Sequence, residues 1–129
     1  MNNSVLQNQQ NNQEWTEEYE GQLAIDVFQT NDAIILKAPI AGVKKEDLEI
    51  SITDDVINIK GERRRGDETG NEIYLSQECY WGPFSRSYIL PVAVEHDKVN
   101  ASLKSGILTV KLPKLEKSKT KLVEIGDEE

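Results

Sequence analysis

The chain has 129 residues, enough for one domain built on a single modest core. Its 15 Lys and Arg face 23 Asp and Glu, a formal charge of −8 that repels nucleic acid and anionic membrane and argues against both as partners. One Cys and one His allow neither an internal disulfide nor an ordinary multi-ligand zinc site, and a lone thiol fits a reducing cytosol.

Residues 1–22, "MNNSVLQNQQNNQEWTEEYEGQ", are rich in Asn and Gln and poor in core-forming residues. They are expected to form a short, polar, mobile arm with a weak helical tendency near Trp15 and Tyr19. The segment holds no Lys or Arg, and no apolar run in the chain approaches membrane-spanning length. Secretion and membrane insertion are therefore not expected, and the expected location is cytoplasmic.

From Leu23 the pattern changes to short stretches of period two, the signature of strands with one buried face. Leu23, Ile25 and Val27 alternate in "LAIDVFQ", and "AIILKA" follows across the Asn31-Asp32 turn. "LEISIT" sets Leu48, Ile50 and Ile52 on one face, and "VINIKG", "FSRSYIL", "KVNASL" and "ILTVKL" continue the series. Turn signals such as Asp54-Asp55 and Ser105-Gly106 separate them. Hardly any helical periodicity accompanies these strands, so the expected fold is all-β, an immunoglobulin-like sandwich of about seven to nine strands. An internal echo supports it: "ISITDDVINIK" lies over "ASLKSGILTVK", hairpin over hairpin, which places one copy in each sheet.

Between the two halves runs "ERRRGDETGNEIYLSQECYWGP", residues 62–83, a long connection for a compact sandwich. Its arginine triplet, Arg63-Arg64-Arg65, is followed at once by acidic residues and reads as a solvated loop. Its centre, "EIYLSQ", is patterned as a strand with nowhere to pair inside one chain. The simplest partner is the sheet edge of a second chain.

No constellation for chemistry emerges. Cys79 and His96 lack an oxyanion donor or Gly-rich elbow, and no phosphate-binding glycine loop occurs. The "RGD" at 65–67 and the "SKTK" at 118–121 are loop coincidences, and Asp67, Glu68 and Glu72 lack the spacing of a calcium loop. An enzyme is not expected, and neither is a cofactor or a metal.

At "ASLKSGILTVKLPK" (101–114) the sequence resembles the small heat-shock protein family in its α-crystallin domain. "AIDVFQTNDAIILKAPIAGVKKEDLEISI", "INIKGER" and "WGPFSRSYILP" agree with it in order, so the resemblance covers about residues 22–125. It implies three segments: the arm 1–22, an α-crystallin domain 23–114 and a C-terminal extension 115–129. It also implies an ATP-independent holdase, active under stress, whose partners are unfolded client proteins and further copies of itself. The building block would be a homodimer in which the loop strand is exchanged, with Ile73, Tyr74 and Leu75 on that strand and Arg86 near the interface. Gly106 matches the family's turn glycine.

The resemblance also gives a role to the close of the chain, "KLVEIGDEE". Val123 and Ile125 match an anchor that docks into an apolar groove between two edge strands of a neighbour. By position the groove would be lined by Leu48, Ile50, Ile52, Ala101 and Leu103. Two departures stand out: the arm is short, polar and without Phe where the family commonly has a longer Phe-rich one, and Ala41-Gly42 stands where Pro-Gly is usual. The alternative is a related sandwich cochaperone that binds one folded partner and has neither exchanged strand nor anchor.

Overall fold

A computed structural model describes residues 21–66 and 69–128. Among them the period-two stretches form eight strands: β1 (Gly21–Gln22), β2 (Asp26–Gln29), β3 (Ala33–Pro39), β4 (Leu48–Thr53), β5 (Val56–Arg63), β6 (Gly82–Ile89), β7 (Asn100–Lys104) and β8 (Ile107–Pro113). They build two four-stranded sheets, ordered β1-β6-β5-β4 and β2-β3-β8-β7. Every pairing is antiparallel except β1 with β6, which is parallel. The all-β sandwich expected from the alternation is the fold.

Alternation decides which side chains meet. In β5, Ile57 and Ile59 are fully buried, while Asn58 between them and Lys60 after them turn outward. From the facing sheet Ile34, Leu36, Val110 and Leu112 close the core at 0–1% exposure. Each such side chain stabilises the fold by roughly 1.5–3 kcal/mol before ordering costs. Of the arginine triplet expected in a solvated loop, Arg64 is exposed there, while Arg63 belongs to a strand. Arg63 is the last residue of β5, paired with Gly82 of β6, and Arg64 bridges Asp47 and Glu62 at 3.1 Å each.

The two echoing hairpins occupy different sheets: β4–β5 lies in the first and β7–β8 in the second. Their two-residue turns differ. Asp54 alone takes a left-handed φ of 55° in the first, whereas Ser105 and Gly106 both do in the second, at 52° and 75°. Gly106 is constrained twice. A Cβ there would sit 3.1 Å from the Ala41 Cα, and its carbonyl accepts the Ile40 amide at 2.7 Å. The turn thus docks on the chain leaving β3. Gly61 has a packing reason instead, since a Cβ would overlap the Phe84 ring.

The segment "EIYLSQ", which the sequence leaves without an edge in its own chain, forms no strand there; residues 71–81 hold neither helix nor ladder. An extended segment without a partner edge has no backbone bonds to fix it. Two expectations need correction. The strand expected from Lys98 begins at Asn100, because His96–Lys98 form a 3₁₀ turn. At the other end, Gly21 and Gln22 of the expected arm are the edge strand β1. The rest of the arm, with Trp15 and Tyr19, lies outside the described residues, as do Asp67 and Glu68.

Candidate functional site

Each sheet ends on one strand of an echoing hairpin, β4 in the first and β7 in the second. These edges stand side by side at one flank of the sandwich. Between them opens a groove of about 490 Å³, lined by Lys45, Leu48, Ile50, Ala101, Ser102, Leu103 and Leu108. Its floor is apolar because β4 turns Leu48 and Ile50 inward, half-buried, and Glu49 and Ser51 outward. β7 contributes less: Leu103 is half-buried, and Ala101 and Ser102 are exposed.

Of the residues expected at a groove, the structure brings Leu48, Ile50, Ala101 and Leu103 together, while Ile52 lies outside the lining. Sequence reasoning missed Lys45, Ser102 and Leu108. Leu108 is a core residue of β8 reaching the groove floor, and Lys45 comes from a 3₁₀ turn that precedes β4. Both edges carry unpaired backbone N–H and C=O groups on their outer sides, so an extended peptide lying between them has ladder partners as well as an apolar floor.

The two bare apolar segments lie elsewhere. Ile73 is 88% exposed and Leu75 fully so, with Tyr74 half exposed beneath the Arg65 guanidinium at 5.0 Å. Just before them the chain makes a tight turn. The Thr69 amide and hydroxyl donate to one Glu72 carboxylate oxygen, and the Gly70 amide donates to the other at 3.1 Å. The Thr69 amide above all pulls the Glu72 carboxyl from 4.5 down to about 2. At the loop's far end the Tyr80 hydroxyl accepts the Gly21 amide at 3.1 Å and donates to the Pro83 carbonyl. Arg86, on the next strand, is half-buried and donates to the Leu23 carbonyl at 2.9 Å.

The tail is bare only at its end. Val123 and Ile125 are 81% and 92% exposed. Upstream it is fastened: Glu116–Ser118 form a 3₁₀ turn, and the Thr120 amide donates to Asn31 Oδ1 at 2.9 Å. Lys119 Nζ lies 2.9 Å from Glu116 and 3.5 Å from Asp32, and the Glu116 carboxylate leads in holding its pKa above the ordinary lysine value.

No chemistry assembles beside these features. Cys79 and His96 lie beyond opposite ends of β6, and His96 Nε2 donates to the Asp54 carbonyl at 3.0 Å. Among the described residues no group of three or more His, Cys, Asp or Glu is placed to hold a metal, and no helix is long and apolar enough to cross a membrane.

The sequence profile of the Hsp20/alpha crystallin family matches residues 26–126. The 17.8 kDa class I heat shock protein of Arabidopsis thaliana is 40% identical over 98 residues, covering 75% of this chain and 62% of that protein. Spore protein SP21 of Stigmatella aurantiaca is 36% identical over 103 residues, covering 80% and 61%. The chain thus spans about six tenths of the length of these curated relatives. Among solved structures, heat shock protein 16.0 from Schizosaccharomyces pombe aligns at a TM-score of 0.69 and 33% identity, over 84% of this chain and 78% of that one. A small heat-shock protein from Xylella fastidiosa aligns at 0.65 and 25% identity, over 81% and 96%.

Proposed function

The chain belongs to the Hsp20/alpha crystallin family, and from that premise we propose that it is an ATP-independent holdase that binds partly unfolded proteins and prevents their aggregation. One observation carries the reading: an open apolar groove flanked by two unpaired strand edges, in a chain whose own tail ends in a bare Val-x-Ile. Such a groove accepts any extended apolar segment through backbone bonds and alternate side chains, which is the chemistry of an exposed, unfolded client. The same groove accepts Val123 and Ile125 of another copy. Each contributes roughly 1.5–3 kcal/mol on burial before ordering costs, so single contacts exchange and several together hold.

The loop carries the second contact. Ile73, Tyr74 and Leu75 pair with a sheet edge of a second chain, making a strand-exchanged homodimer with Arg86 near its interface. With β4 and β7 flanking the groove, the remaining edges are β1 and β2. β1 has two residues, so β2 is the edge with ladder positions to offer. The protein works in the cytoplasm and needs no cofactor.

Light scattering of an aggregating test protein decides the main point. Added chain should suppress the signal without nucleotide, and ATP with magnesium should change nothing. No suppression at a molar excess of chain would remove the proposal.

A further inference from the structure

The root of the tail is bound more tightly than a polar linker needs to be. After β8 the Lys114 amide donates to the Asp32 carbonyl at 2.8 Å, and the Leu115 amide to the Ala93 carbonyl at 3.1 Å. Asn31 and Asp32, the tip of the β2–β3 turn, then hold Thr120 and Lys119 as described. The part of the tail able to swing freely therefore begins at Thr120.

That starting point sets what the anchor can reach. The latch sits on the β2–β3 side of its sheet, and the groove lies beside β7, two strands beyond β3. Two strand spacings put them about 10 Å apart across the sheet. Along the strands, Asp32 lies just beyond the row of Ala33 and Pro113, while Ala101 shares the row of Val110 and Leu103 that of Leu108. That adds about 13–20 Å, for a separation of roughly 16–22 Å. Three steps from Thr120 to Val123 extend at most about 10–11 Å. A latched tail falls short of its own groove. Released back to Leu115, eight steps extend about 26–29 Å, which is enough.

We propose that the Asn31–Asp32 turn latches the root of the tail and so commits Val123 and Ile125 to the groove of a second copy instead of their own. This rests on the anchor reading above. The latch is needed because a tail able to reach its own groove would face it at millimolar effective concentration, against micromolar concentrations of neighbours. Self-docking would then win, and it would cap the groove and end assembly together. The turn that joins β2 to β3 is thus a specificity device for the opposite flank of the sandwich.

The experiment compares the full chain with a latch-opened variant carrying Asn31→Ala and Lys119→Ala, neither of them a core residue. Each version also carries Cys79→Ser, with Ser102→Cys in the groove and Glu124→Cys between the anchor residues. Equal amounts of ¹⁴N- and ¹⁵N-labelled chains are refolded together and oxidised, and the disulfide-linked peptides are weighed. With the latch intact, the link between the groove thiol and the tail thiol should be mixed-label in about half of the pairs, as random pairing between chains requires. With the latch opened, same-label links within one chain should rise about tenfold relative to links between chains, the effect of losing one hydrogen bond and an exposed ion-pair network. An unchanged mixed-label share in the opened variant would overturn the latch and leave groove docking standing. Absence of the link in both versions would overturn the docking reading, and the latch with it.

Discussion

Two stretches of this chain carry nearly the same pattern and meet opposite fates. In β5, "VINIK" places Ile57 and Ile59 at full burial between β4 and β6, with ladder bonds on both sides. In the loop, "EIYLSQ" alternates as well, yet Ile73 and Leu75 stand in solvent and the backbone forms no ladder. The difference is not in the residues. Alternation supplies a face to bury, but a strand exists only where two rows of backbone groups meet. β5 finds both of its partner strands, β4 and β6, along the same chain, whereas residues 71–81 pair with no strand of their own chain.

The sharpest test of this contrast removes the same kind of side chain from each stretch. Ile57→Ala should cost about 2–5 kcal/mol in urea unfolding, since the cavity it leaves is enclosed by core residues. Ile73→Ala, measured where the chain is dilute enough to be monomeric, should stay within about 0.5 kcal/mol of the parent. Equal losses at the two positions would mean that the loop is packed within its own chain.

Deleting Glu72 to Gln77 takes the contrast to assembly. Sedimentation at micromolar concentration should find a folded monomer, because the segment proposed to pair between chains is gone. A folded dimer after the deletion would place the pairing elsewhere.

The tail gives a smaller effect of the same kind. Val123→Ser with Ile125→Ser should leave the unfolding midpoint and the dimer unchanged, since neither side chain is buried in the sandwich. Native mass spectrometry should show loss of species above the dimer. Suppression of client aggregation should be no weaker, because the groove then stands open. Unchanged oligomer size would make the Val-x-Ile spacing an accident.

The smallest effect is electrostatic and local to the loop. Hydrogen bonds hold the Glu72 carboxyl at about 2, below its ordinary 4.5, so the turn they form contributes fully above pH 4.5 and is lost as pH falls through 2. The Thr69 and Gly70 amide resonances should therefore keep their positions at about pH 4 and move near pH 2. A midpoint close to 4.5 would show that the turn does not hold in solution.

The class of fold and most of the strands were legible in the residues, because alternation of apolar and polar residues is a local property that burial of one face enforces. The sequence placed the hairpins of Asp54-Asp55 and Ser105-Gly106, and through family resemblance it named Leu48, Ile50, Ala101 and Leu103 as neighbours. What it left open are contacts between distant residues that no period announces. The Thr120 amide meets Asn31 across 89 positions, and Arg86 meets the Leu23 carbonyl across 63. Lys45 and Leu108 join one groove from a 3₁₀ turn and a core strand. Such contacts arise only once the sandwich is folded, since a single hydrogen bond between exposed or half-exposed groups leaves too small a free-energy imprint to constrain the residues around it. The same holds for the strand that did not form: its pattern was written in the sequence, and no strand of its own chain pairs with it.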